Sequence, residues 1–302
     1  MKIGMIGIGD IAAKAYLPVL TQMEDVELHI CTRKETVLKK VAAKYRISHT
    51  YQHLEDFLQS GVEAVFVHTA TDSHEEIIDQ LLDHHIHVYI DKPITYDGES
   101  STRLIKKAEE KGLLLMVGFN RSYAPPYQFL KEVKEPNMVL VEKNRANHPD
   151  DARTFIFDDF IHVIDTMLHL FPYQVENYRI RGVQQDGKLY QVTLQLETKE
   201  GTAIGIMNRD AGTTEEKAKV FSAAETREVH HVNEMVILRD KNRFVHGGDD
   251  WEPTLKKRGF HHIISAFLDK VRSQNIVAAD YTRDLERHLI AEQIVQALAK
   301  NK

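Results

Sequence analysis

The run Lys2–Met23, KIGMIGIGDIAAKAYLPVLTQM, decides how the first half of this 302-residue chain folds. Lys2–Gly9 reads as a short apolar strand and Ala12–Met23 as a helix. Between them, Gly7–Ala12 carries the pattern G-x-G-x-x-A. Gly7 permits a tight turn, Gly9 lets a pyrophosphate approach the backbone, and Ala12 lets the helix pack closely on the strand. The helix N-terminus then offers N–H groups and a positive dipole end to phosphates. A glycine turn without a ligand fits the same six letters; the strand before and the helix after favour the nucleotide reading.

The alternation continues to about Arg121. Strand-like VELHICT, EAVFVHTA, HVYID and LLLMVGF alternate with helical KETVLKKVAAKY, LEDFLQS, SHEEIIDQLLDHH and GESSTRLIKKAEEKG, which implies crossover units and a parallel sheet. Ser73 stands where a hydroxyl could cap the helix that follows EAVFVHTA. Beyond Arg121 the rhythm changes. One helix around FDDFIHVIDTMLHLF precedes strand-like runs from QVENYRIRGV to RFVHG, separated by short polar spacers such as KEG and RDKN. Two helices, FHHIISAFLDKVRS and TRDLERHLIAEQIVQALAK, close the chain. The fold class is therefore α/β: a doubly wound parallel Rossmann sheet over 1–121, then an α+β domain over 122–302 with an open, mainly antiparallel sheet.

Composition narrows the function. A net charge of -6 with no dense Lys/Arg block argues against nucleic acid and anionic membrane as partners. No apolar run approaches the roughly 20 residues of a membrane helix. The glycine-broken N-terminus does not read as a signal peptide. Cys31 is the one cysteine, so no internal disulfide forms, which fits a reducing cytoplasm.

Two strand ends carry chemistry. VYIDKPIT, Val88–Thr95, closes an apolar strand with an acid, a lysine and a proline. Ligands of open parallel sheets lie beyond the carboxyl ends of the strands, so Lys92 is expected at the mouth of a nicotinamide crevice, held extended by Pro93. A strand-end lysine pointing into water is the plainer reading. The second strand ends ICTRK, with Thr32, Arg33 and Lys34 where NAD enzymes usually have an acid for the ribose. Arg33 can bond a 2′-phosphate instead, so NADP is the expected cofactor and NAD the alternative. A solvated helix start would also explain Arg33 and Lys34.

Taken together, GIGDIA, TATDSH, HVYIDKP and GFNRSYAP resemble the glucose-fructose oxidoreductase / inositol dehydrogenase / MocA (Gfo/Idh/MocA) family, nearest its MviM-like, virulence-factor-like branch. The resemblance spans essentially the whole chain. It implies NAD(P)-dependent oxidation or reduction of sugars and related polyols. It also implies dinucleotide contacts from Gly7, Ile8, Gly9, Asp10, Ile11, Thr32, Arg33, Thr69, Ala70, Thr71, His74, Asp91, Lys92, Pro93 and Asn120. The family's lysine motif is Glu-Lys-Pro, and this chain has Asp91-Lys92-Pro93. The family's Asp-x-Gly-x-His-x-x-Asp motif is matched by Asp158, His162 and Asp165, with Phe160 where glycine is usual and no preceding Gly-Gly.

On an α-helix Asp158 and His162 share one face. His162 is then the group that takes or returns a hydroxyl proton, Asp158 orients its ring, and Lys92 steadies the developing alkoxide. Asp158 or Asp159 could instead cap the helix. A metal on the stripe Asp158, His162, Asp165 and His169 is not expected, because a lysine shares the cleft. The histidine pairs elsewhere lack ligand spacing. The resemblance puts substrate contacts at Arg121, Tyr123, Lys143, Arg145, Arg258 and His261. So many cations suggest a carboxylate or phosphate on a sugar-like substrate, unless they pair with neighbouring acids. One uncovered sheet face suggests a homo-oligomer through the C-terminal sheet. The competing function on the same fold is a non-catalytic NADP(H)-binding sensor.

Overall fold

The computed structural model describes residues 1–247 and 251–300. The chain divides into two compact units, Met1–Gly118 with Phe260–His288, and Phe119–Gly259 with Leu289–Lys302. The expected domains at 1–121 and 122–302 are contiguous, whereas residues of the C-terminal segment return to the first unit.

The first unit is built on six strands: β1 (Lys2–Ile6), β2 (Glu27–Cys31), β3 (His49–Tyr51), β4 (Ala64–Val67), β5 (His87–Ile90) and β6 (Leu115–Val117). Their order is β3-β2-β1-β4-β5-β6 and every pairing is parallel. The order reverses between β1 and β4, which opens a crevice at their carboxyl ends. Strands β4 and β6 are buried at every position, as helices on both faces require. The edge strand β3 carries no strand signal in its letters, since its three residues HTY are polar and partly exposed.

The first helical segment differs from the expected α-helix. Ala12–Tyr16 is a π-turn, and α-helix resumes only at Leu17–Leu20. Pro18 has no N–H to return to the carbonyl of residue 14, so the wider turn relaxes a ladder already broken. Ser73 is not a cap either: its hydroxyl donates back to the Ala70 carbonyl at 2.8 Å, ahead of the helix His74–Asp83. A true cap stands at Asp97, whose carboxylate accepts from Ser100 N at 2.7 Å to start Gly98–Glu110.

Tyr16, Phe66 and Tyr89 form the aromatic centre of this core, with Tyr16 and Tyr89 hydroxyls 2.9 Å apart. Phe267, from the helix Phe260–Ser273, closes it at ring-centroid distances of 5.1 Å from Phe66 and 5.4 Å from Tyr89. That packing is why the late helix belongs to the first unit.

The second unit holds an eight-stranded sheet: β7 (Met138–Asn144), β8 (Asn177–Gln185), β9 (Lys188–Glu197), β10 (Thr202–Asn208), β11 (Glu215–Phe221), β12 (Thr226–His230), β13 (Glu234–Arg239) and β14 (Asn242–His246). The order is β14-β13-β12-β11-β7-β10-β9-β8, antiparallel except for the parallel pair β7 and β10. Strand β7, absent from the strand-like runs of the sequence, sits at the centre and joins the two halves. The helix Ile161–Leu170 lies on the face of β7 and β10. A side chain at Gly205 would overlap the Met167 sulphur and stand 2.7 Å from Val163 Cγ1, so glycine sets how closely the helix approaches. Among the described residues, no helix is long and apolar enough to cross a membrane.

Candidate functional site

The end of β1 meets the end of β4 with no room for a side chain. Gly7 has φ +84°, and a Cβ there would stand 2.7 Å from both His68 C and Thr69 N. A Cβ at Gly9 would have only the His68 carbonyl oxygen nearby, at 3.8 Å, so the backbone is open on that side. Ile8 is half-buried, and Asp10 and Ile11 are exposed, Asp10 paired with Lys14 at 2.8 Å. The Thr69 hydroxyl is buried and makes no hydrogen bond. A bare backbone turn and an unsatisfied hydroxyl at a sheet's switch point fit a dinucleotide, whose phosphates supply acceptors. Ala70 and Thr71 follow at the same rim.

His68 was not read from the sequence. Its ring lies against Tyr16, with centroids 4.0 Å apart and planes tilted by 40°, both ring nitrogens are without hydrogen-bond partners, and burial pushes its pKa down to about 3. At the end of β2, Thr32 N donates to Tyr51 O at 3.1 Å, and Arg33 and Lys34 are exposed.

Lys92 sits in a segment tied on both flanks. Asp91 Oδ1 accepts from Lys92 N at 2.9 Å, and the Lys92–Pro93 peptide is cis. His74, expected to touch the dinucleotide, is buried with Nδ1 2.9 Å from Pro93 O and Nε2 3.2 Å from Thr69 O. Burial lowers its pKa against the pull of those carbonyls. A neutral ring has one N–H, and the shorter contact takes it. The residue therefore positions Pro93. Ile94 N donates to His288 Nε2 at 2.9 Å, and His288 Nδ1 donates to Asp284 O at 2.7 Å. Asp284 Oδ2 accepts from Val117 N at 2.9 Å, so one helix, Ala278–Lys300, holds the ends of β5 and β6.

The second unit contains a buried ionic network. Arg121 grips Glu216 through Nε and Nη2, the latter at 2.8 Å, and Tyr127 donates to Glu216 at 2.9 Å. Burial alone would raise the Glu216 carboxyl, but Arg121 reverses this and holds it down at about 2. Arg121 Nη1 also stands 3.1 Å from His162 Nδ1. A guanidinium can only donate, so Nδ1 accepts and the ring proton resides on Nε2.

The acid that gathers the cations is Asp159, the neighbour of the expected Asp158. The segment Phe155–Phe160 is a π-turn, and α-helix begins at Ile161. Asp159 is buried and receives Lys143, Arg145 (2.8 and 3.1 Å) and Arg209 (3.3 Å), while Asp158 is half-buried. Burial opposes ionisation of Asp159, but Lys143 and Arg145 hold its carboxyl far below the usual carboxylate range. Burial, with Arg121 nearby, pushes the Lys143 amine down to about 7. Neither Asp158 nor Asp159 caps the helix; Asp151 does, accepting from Arg153 N and Thr154 N at 3.0 Å. Asp165 accepts from Ser122 Oγ at 2.7 Å.

Arg121, Lys143, Arg145 and Arg258 line one cavity of about 250 Å³, together with Glu215, Glu216 and His231. Asn120, expected at the nucleotide, donates to Arg258 O at 2.8 Å within the second unit. Tyr123 is half-buried and does not line this cavity, and His261 belongs to the first unit. Sequence reasoning missed Glu216, Asp159 and Arg209. A single acid or base gives no signal until register and packing put it beside its partner. The same holds for Glu27, His29 and His49 on β2 and β3, whose ligand-type atoms lie within 4.8 Å of one another. There the two imidazoles stack at 4.3 Å and 8°, so their in-plane lone pairs do not meet at one point.

A dinucleotide-type parallel sheet and a second, largely antiparallel unit with a buried ionic cavity define a two-unit nucleotide-dependent oxidoreductase. Residues 1–119 match the model of the oxidoreductase family with an NAD-binding Rossmann fold, and 125–240 match the YceM-like C-terminal domain. The chain belongs to the Gfo/Idh/MocA oxidoreductase family. It is similar to a Gfo/Idh/MocA family oxidoreductase from Vibrio cholerae, with 34% identity and TM-score 0.94 over 99% of this chain and 98% of that one. Dehydrogenase MviM from Clostridium difficile follows at 31% identity and TM-score 0.93, over 98% and 99%. A myo-inositol 2-dehydrogenase from Thermotoga maritima is 23% identical over 80% of this chain and 79% of its own length.

Proposed function

We propose that the protein is an NADP-dependent dehydrogenase or reductase acting at a hydroxyl or carbonyl carbon of a sugar, polyol or sugar derivative. The carrying observation is the Arg121–His162 contact in a buried ionic network that opens on a cavity. The relative named for myo-inositol supports the substrate class. The nicotinamide, when bound, supplies the site that gives or takes hydride. Gly7, Gly9 and Thr69 would hold the pyrophosphate region, and Arg33 with Lys34 the 2′-phosphate. Lys92 donates to the reacting oxygen as negative charge develops there. In the reductive direction the acid is the doubly protonated ring of His162, which gives its Nε2 proton to the carbonyl oxygen and keeps the one on Nδ1; a neutral ring would be left as imidazolate. Taking a proton at Nε2 needs the other tautomer, so oxidation requires Arg121 to release Nδ1.

The test titrates NADPH and NADH by fluorescence, then follows absorbance with a sugar and polyol panel. NADPH should bind tighter, and Arg33→Gln should erase most of that preference. Lys92→Ala should lower kcat by about 100-fold or more while NADPH binding stays unchanged. Wild-type turnover in Lys92→Ala would end the proposal.

A further inference from the structure

We propose that the cavity bordered by β7, β11 and Arg258 is an anion subsite for a carboxylate or phosphate carried by the substrate. The inference rests on the oxidoreductase reading for the word substrate, but its evidence is a separate charge imbalance. Three cations, Lys143, Arg145 and Arg209, converge on one carboxylate, Asp159. Glu216 is matched by Arg121, and Glu215 by Lys217 at 2.6 Å. Asp150 comes only within 3.8 Å of Arg209. Arg258 lines the same cavity, and its side chain has no ion pair among the described residues. Among the described residues, the four cations Lys143, Arg145, Arg209 and Arg258 thus face two carboxylates, Asp159 and Asp150.

Arg258 is exposed and Arg145 half-buried, but Lys143 and Arg209 are buried, where unmatched positive charge is unfavourable. Arginine cannot relieve it by losing a proton, whereas a lysine can, and the Lys143 amine is indeed pushed down to about 7. An incoming anion would restore the charge balance, restore full protonation of Lys143 and occupy the open side of Arg145 and Arg258. A carboxylate and a phosphate ester satisfy the same donors.

Calorimetric titration of the full-length protein at low ionic strength decides the matter, using inorganic phosphate, gluconate and uncharged sorbitol as probes. Phosphate, gluconate or both should bind more tightly than sorbitol, and the pattern tells the two sources apart. Arg258→Gln should weaken anion binding by about 10- to 100-fold, with Arg258→Lys recovering much of it. Equal affinity for sorbitol and both anions, or anion binding indifferent to Arg258→Gln, overturns the subsite. NADPH binding and hydride transfer are read separately. Anion binding in a protein that uses no nicotinamide would keep the subsite and remove the oxidoreductase reading; turnover of neutral polyols without anion binding would do the reverse.

Discussion

A carboxylate surrounded by cations in a dry site stays ionised because they hold it so, and it in turn is what makes their burial tolerable. Asp159 is in that position, one residue along from the Asp158 that the helical spacing of the sequence favours. Asp159→Asn leaves Lys143, Arg145 and Arg209 facing a neutral amide and should destabilise the protein by about 3–5 kcal/mol. Asp158→Asn, at a half-buried position, should change stability by less than about 1 kcal/mol. Urea unfolding of the two variants checks the ranking, and equal losses would return Asp158 to the centre of the network. The acid-and-histidine pairing was readable from the sequence as a motif. That Asp159 would meet Lys143, Arg145 and Arg209 was not, because those cations come from β7 and the end of β10 and reach it only in the folded chain.

Single elements act here as clamps. The first half of Ala278–Lys300 looks in sequence like an ordinary helix, yet its Asp284 and His288 take the backbone N–H groups of Val117, at the end of β6, and Ile94, beyond β5. His288 is fully buried, and its pKa is pushed down to about 4, chiefly by burial. A folded-state value below the unfolded one means that the unfolded chain binds the extra proton. The stability that neutral His288 contributes is therefore complete above about pH 6.5 and is lost as pH falls from there toward about 4. In His288→Gln the unfolding free energy should fall less steeply across that window, by about 1.4 kcal/mol per pH unit. Denaturant unfolding at several pH values measures the slope, and an unchanged slope would show that His288 does not titrate with folding.

At the scale of the whole molecule, the change of rhythm near Arg121 marks a real change of architecture but not a complete unit. Ile263, Ile264, Phe267 and Leu268 are all fully buried, and their helix belongs to the first unit. Each such side chain is worth about 1.5–3 kcal/mol of burial, so losing four rivals the entire stability of an ordinary domain. A fragment ending at residue 121 should therefore show no cooperative thermal transition and bind no NADPH. Residues 1–118 linked to 260–288 should show both. Circular dichroism and fluorescence distinguish these outcomes, and a cooperative melt of the short fragment would count against the discontinuous unit.

The chain's own letters determined the strand-turn-helix with Gly7 and Gly9, the alternating units after it, the missing acid after β2 and the lysine after β5. Each of these is a local pattern, set by backbone sterics and by the period of apolar residues. The tertiary structure alone decided that β7 is central, that Glu216 faces Arg121, that Asp159 rather than Asp158 gathers the cations, and that the late helix completes the first core. Those facts depend on register and on packing between segments as much as 200 residues apart, such as Phe66 and Phe267. No window of sequence carries the electrostatic sum that results when they meet.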